Sequence, residues 1–205
     1  MELLIVRHAL PLRVIVEEGA ADPRLDELGH RQAEAMAEYL AAEGIDAVWS
    51  SPMARARETA QPLLDRTGLE LGIDNDLAEW DRDSSSYIPI EELKASNHPM
   101  WQAMMAGEWV GASDPVTFQK NVVAAMNRII DAHPGERVAV VCHGGVIGAY
   151  LAHILELPRP GGFFHPEYTS IHRVMASSRG HRTLRSMNEL THLHGRDLLP
   201  ANRFV

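Results

Sequence analysis

The sequence predicts a three-layer α/β sandwich, a mostly parallel central sheet with helices on both faces, and three observations point to it. Leu3-Leu4-Ile5-Val6, Ala47-Val48-Trp49 and Val138-Ala139-Val140-Val141 are short apolar runs of the kind that form strands covered on both faces. The segments between them repeat their apolar residues at helical spacing, and strands alternating with helices make a parallel sheet through right-handed crossovers. The residues directly after each run are also unusual in kind: Arg7-His8, then Ser50-Ser51 with Arg55 close behind, then Cys142-His143-Gly144-Gly145.

The elements follow in order. Asp26 can cap a helix that carries Leu28, Met36 and Leu40 on one face and stops by Gly44. A second helix should start near Pro52, run through Arg55 and Thr59 with a kink at Pro62, and end at Gly68. Asp114-Pro115 opens a third, whose Phe118, Val122, Met126, Ile129 and Ile130 keep the helical period until Pro134-Gly135. Val146 to Leu155 reads as a fourth helix, and Ile171 to Ala176 and Thr183 to Met187 as further strands. Residues 81–115 break this alternation and are expected to form an insertion over the site.

Composition sets limits. The chain has 205 residues, 45% of them hydrophobic, enough for one core, so a single domain over 1–205 is expected. No long apolar stretch suggests a membrane span and the N-terminus lacks the basic segment and long apolar region of a signal peptide, so no membrane partner is expected. The lone Cys142 leaves no internal disulfide and suits a reducing cytoplasm. A net charge of −9 argues against a nucleic-acid surface, so any affinity for anions must be local.

Such a local site has a natural place. In open α/β sheets ligands bind in the crevice at the carboxyl ends of the strands, where helix N-termini face anions. Two arginines and two histidines converging there would hold a compact dianion such as a phosphoryl group.

The residues at this point resemble the histidine phosphatase superfamily, which includes phosphoglycerate mutases and many phosphatases. The matching pieces are Val6-Arg7-His8-Ala9, Asp22 to Ala33, Ser50 to Ala60, Leu77-Ala78-Glu79 and His143-Gly144-Gly145-Val146-Ile147, in the family's order across nearly the whole chain. The resemblance implies a Rossmann-like fold and a phosphohistidine mechanism. His8 would be the nucleophile, Glu79 the acid that protonates the leaving oxygen, and His143 a donor to a phosphoryl oxygen. Arg7 and Arg55 would clamp phosphate and keep His8 neutral, with Gly144 leaving room for the anion. No cofactor or metal is expected; His192-x-His194 is the nearest ligand-like spacing, and a short match of that kind is more often plain chain. Arg57 should point away from Arg55, and Cys142 should be a small strand residue.

Around this core the chain departs from a mutase. Leu10-Pro11-Leu12-Arg13 and Trp80-Asp81-Arg82-Asp83-Ser84-Ser85-Ser86-Tyr87 replace the mutase patterns, so hydrolysis is favoured over intramolecular transfer. Residues 81–115 hold six acids against Arg82 and Lys94, with Met100, Trp101, Met104, Met105 and Trp109 clustered; these apolar residues would cover the crevice, fill core or meet a second copy in a homodimer. Arg13, Arg82, Ser84 and Tyr87 are the candidate substrate contacts. The partner expected is a small-molecule phosphate monoester with a neutral or partly apolar leaving group, since a second phosphate would need further cations. The rival readings are a mutase-type phosphotransferase and a protein that binds phosphoesters without turnover.

Overall fold

The computed structural model describes residues 1–106, 108, 114–159 and 161–199; Trp109 and part of the predicted insertion lie outside them. Six strands form one sheet in the order β4-β3-β6-β1-β7-β8, with β1 Glu2–Arg7, β3 Ala47–Ser50, β4 Leu71–Ile73, β6 Arg137–Cys142, β7 Ile171–Ala176 and β8 Arg182–Glu189. β1, β3, β4 and β6 are parallel neighbours, and β7 runs antiparallel to both β1 and β8. A two-residue ribbon joins β2 (Val14–Ile15) to β5 (Ser86–Tyr87) outside this sheet. Among the described residues no helix is long and apolar enough to cross a membrane.

Alternate residues of the central strands feed two cores. Leu3, Ile5, Val138, Val140 and Cys142 pack with α5 (Pro115–Ala132) and α6 (Gly144–Ile154) on one face. Leu4, Val6, Val48, Ala139 and Val141 pack on the other face with α1 (Glu27–Ala41) and α2 (Ala54–Thr67). The chain after β1 therefore leaves to one face and the chain after β6 to the other, which opens a crevice between these two neighbours.

The end signals read from sequence act as local chemistry requires. Asp26 accepts from Gly29 N at the start of α1, Asp114 accepts from Thr117 N at the start of α5, and Gly68 closes α2 at φ +71°. The sequence did not reveal β4, β2, β5 or the two short helices α3 (Ile90–Ala95) and α4 (Pro99–Met105). β4 is three residues long and centres on Gly72, where a Cβ would lie 2.6 Å from the Trp49 ring, so no periodic apolar pattern marks it. No residue of α4 is buried, which removes Met100, Trp101, Met104 and Met105 from the core.

The loop that follows β1 is fixed from three sides. His8 N donates to Cys142 O at 2.8 Å, Ala9 N to Thr59 Oγ1 at 2.9 Å and Leu10 N to Gln32 Oε1 at 2.9 Å. Asp26 N donates in turn to Leu10 O, and Gly29 lies so close that a Cβ there would stand 2.0 Å from the same oxygen. Gly29→Ala should therefore lower the unfolding free energy by roughly 1–3 kcal/mol in urea titration, overriding the gain that alanine brings to an ordinary helix site.

Candidate active site

The register of the parallel strands sets the site. Arg7 pairs with Cys142 across β1 and β6, and Ser50 with Val141 across β3 and β6, so three strands end in one line. His8, Ser51 and His143 leave from that line, and Arg55 follows within the first turn of α2. Because β7 is antiparallel to β1, Tyr168-Thr169-Ser170 arrives at the same edge just before β7 begins.

Arg7, His8, Arg55, Glu79 and His143 are all buried, and the two histidine rings are 5.1 Å apart. His8 Nδ1 lies 2.8 Å from the Ala9 carbonyl, which can only accept; the ring hydrogen is therefore on Nδ1 and the lone pair on Nε2. Burial, then Arg55 and Arg7, hold the His8 pKa well below the usual imidazole value and keep the ring neutral. His143 is held neutral by burial and then by Arg55, His8 and Arg7. Its Nε2 meets Ser51 Oγ at 2.7 Å, and that oxygen already accepts from Met53 N. We assign the hydroxyl proton to this bond, which places the imidazole hydrogen on Nδ1.

The donors that remain define a ligand. Arg7 Nη1 donates to Pro166 O at 2.6 Å, and Arg55 Nη2 to Asp81 Oδ1 at 2.9 Å. Arg7 Nε, Arg55 Nε, Arg55 Nη1 and His143 Nδ1 are buried without a hydrogen-bond partner. Each unmet donor of this kind costs about 1–3 kcal/mol, and four of them around two neutral imidazoles call for an anion with several oxygens. A surface cleft of about 530 Å³ lined by Gln119, His153, Glu156 and Arg182 lies elsewhere and holds none of these donors. Among the described residues, no group of three or more His, Cys, Asp or Glu is placed to hold a metal ion.

Glu79 is a buried carboxyl beside this cluster. Its Oε2 accepts from Gly145 N at 2.8 Å and its Oε1 from Trp80 N at 3.1 Å. Burial, reinforced by the Asp81 carboxylate, pushes its pKa up to about 7 against the pull of those two N–H groups and Arg55. A carboxyl poised near neutrality can give a proton and later take one.

The other residues singled out from sequence divide clearly. Tyr87 is brought to the cluster, with Arg55 stacked over its ring at 4.7 Å. Arg13 is half exposed and pairs with Glu92, Arg82 reaches the Asn75 carbonyl, and the Ser84 hydroxyl closes a turn on Ser86; none of the three turns toward the orphaned donors. Arg57 is exposed, and burial pushes the Cys142 thiol up, away from the thiolate form that a nucleophile needs. His192 is buried and bonded to Thr169. Sequence reasoning gave no role to Ser51, Thr59, Tyr168 or Gly145. Tyr168 stacks on Arg7 at 4.0 Å and donates to Glu91, yet nothing in its local sequence marks it.

Gly145 and not Gly144 is the sterically constrained glycine. A Cβ at Gly145 would fall 2.3 Å from Glu79 Oε1 and 2.7 Å from Trp80 Cδ1, whereas one at Gly144 would meet only Arg7 Nε at 3.8 Å. Gly145→Ala is expected to cost roughly 1–3 kcal/mol in chemical denaturation, and Gly144→Ala less than about 1 kcal/mol.

Comparison with known proteins bears on the fold and on the family. A probable phosphoglycerate mutase from Yersinia pestis (strain Pestoides F) is 27% identical over 165 residues, covering 77% of this chain and 76% of its own. A phosphoserine phosphatase from Entamoeba histolytica, solved with 3-phosphoglyceric acid, superposes with a TM-score of 0.74 at 22% identity over 94% of this chain and 98% of its own. A mycobacterial glucosyl-3-phosphoglycerate phosphatase does so with a TM-score of 0.72 at 23% identity over 92% and 99%. At such identities the two structures speak for the fold alone. The family model described as the histidine phosphatase superfamily (branch 1) matches residues 3–190, and the chain belongs to that superfamily.

Proposed function

We propose that the chain is a phosphomonoesterase that hydrolyses a small phosphate ester through a phosphohistidine on His8, with its positive charge supplied by side chains rather than a metal. The observation that carries this reading is the set of four buried, unpartnered donors on Arg7, Arg55 and His143 around a His8 whose Nε2 lone pair is free. In the first step Nε2 attacks phosphorus, the bond to the ester oxygen breaks, and Glu79 passes its proton to that oxygen. The Ala9 carbonyl keeps its bond to Nδ1–H and offsets the charge that the phosphorylated ring acquires. In the second step ionised Glu79 takes a proton from water, the water oxygen attacks phosphorus, and the P–N bond breaks to restore His8.

Hydrolysis is favoured over transfer to a second substrate oxygen because few cations remain beyond the clamp. Arg13 is tied to Glu92 and Arg82 to the Asn75 carbonyl, while Asp81, Glu91 and Glu92 sit on the segment that meets the site. A second phosphate would face these carboxylates, so the leaving group is read as neutral or partly apolar. The lone Cys142 suits action in the cytoplasm.

Two outcomes are expected. His8→Ala should abolish both turnover and acid-labile labelling from a phosphorylated substrate, and a variant that still takes up label would remove His8 from the role of nucleophile. Glu79→Gln should reduce kcat/KM by about 10²–10⁴-fold on alkyl phosphates but much less on p-nitrophenyl phosphate, whose leaving group needs no proton. On alkyl phosphates wild-type kcat/KM should fall as pH rises through about 7, where Glu79 loses its proton. No matching loss should arise from His8 until well below pH 6.5.

A further inference from the structure

Asp81 has no role in the chemistry so far, yet it sits on the turn that carries the acid. Arg82 N donates to Glu79 O, so residues 79–82 form one compact turn, and from it Asp81 Oδ1 reaches Arg55 Nη2 at 2.9 Å. Asp81 is mostly covered and Arg55 almost fully buried, with side-chain exposures of 14% and 1%. Arg55 is thus held at one nitrogen by a carboxylate and from one side by the Tyr87 ring, while Nε and Nη1 stay unpartnered. A guanidinium is planar and its donors are rigidly spaced, so fixing Nη2 fixes the directions of the other two.

We infer that Asp81 is a positioning residue for the reaction: it anchors one nitrogen of Arg55 and thereby aims the remaining two at the phosphoryl oxygens. The same carboxylate also faces the acid. Glu79 is surrounded by Asp81 on its own turn, Arg55 from α2, Arg7 from β1 and the Cys142 thiol from β6, with the Gly145 and Trp80 N–H groups on its two oxygens. Among these Asp81 is the negative charge that helps keep the acid protonated. One residue would then link the phosphate clamp, through a hydrogen bond, to the proton donor, through its charge.

Asparagine and alanine separate the two effects. Asp81→Asn keeps an oxygen for Arg55 Nη2 and removes the charge; Asp81→Ala removes both. Orthophosphate binding by titration calorimetry should be at least about tenfold weaker in the alanine variant than in the asparagine variant, the scale expected when one charge-assisted anchor of a ligand-binding cation is lost. The fall of kcat/KM above neutrality on an alkyl phosphate should begin at lower pH in both variants, and Asp81→Glu should restore the wild-type profile. Equal phosphate affinities in the alanine and asparagine variants overturn the inference, as does a wild-type protein that binds no orthophosphate, and an unmoved pH profile removes the link to Glu79. The inference rests on the phosphatase reading only for the kinetic arm. A wild type that binds phosphate and hydrolyses nothing defeats that reading while leaving the affinity comparison to decide on Asp81.

Discussion

Parallel register between β1, β6 and β3 is the constraint on which the site depends. Arg7 and Cys142 end their strands level with one another and Ser50 ends level with Val141, one residue earlier, and the three backbones continue into the histidines and the arginine-bearing helix. A shift of one residue would turn the strand side chains to the opposite face and exchange the two cores, so the register is held by nearly every buried residue of β1 and β6. Strand pairing therefore delivers His8 and His143 to one place before any local contact acts on them. His8 is fixed through its amide to Cys142 O, which continues the β1–β6 pairing, and through Nδ1 to the carbonyl of the next residue, Ala9.

Burial of that cluster sets its protonation. Desolvation opposes any charge, and the two arginines oppose a further positive one, so His8 and His143 are kept neutral, while Glu79, buried beside Asp81, is kept protonated to about pH 7. These shifts act on stability in opposite directions. For the histidines the folded value lies below the ordinary 6.5, so the unfolded chain binds more protons and stability is lost as pH falls below 6.5. For Glu79 the folded value lies above the ordinary 4.5, so stability is lost as pH rises from 4.5 to about 7. The protonation states that chemistry needs are met together only in the window where neither loss is complete.

How much of this was legible depended on length and on locality. β1, β3 and β6 announced themselves because parallel strands covered on both faces are continuous apolar runs, and α1, α2 and α5 because Asp26, Gly68 and Asp114 carry end signals in sequence. β4 could not be seen, since its central Gly72 is there to admit the Trp49 ring and contributes no pattern. Residues 22–33 were visible as a motif but not for what they do. Asp22 accepts from Ala54 N at the head of α2, and Gln32 bridges Leu10 N and Leu198 O, so their work is to hold the loops beside the site. Gly144 and Gly145 looked alike in sequence, and only the approach of Glu79, which comes from 66 residues away, tells them apart. Tyr168 was invisible because it reaches the site through an antiparallel strand that carries no motif.

Tyr168 and Tyr87 also answer a problem that every buried arginine poses. An arginine in a phosphate site must be held still, but each carboxylate used to hold it cancels the charge that attracts the ligand. Here Arg7 lies over the Tyr168 ring at 4.0 Å and Arg55 over the Tyr87 ring at 4.7 Å, contacts that fix the plane of each guanidinium and use none of its N–H donors. Arg7 donates to the Pro166 carbonyl and approaches the neutral His165 ring at 3.4 Å, and Arg55 gives one nitrogen to Asp81. The Glu91 carboxylate that orients Tyr168 is kept one residue back, bonded to the phenol and not to the arginine. Rings thus stand where acids would have been too costly in charge, and the acids are placed behind them, so the cluster stays rigid and keeps its positive potential inside a chain whose net charge is −9.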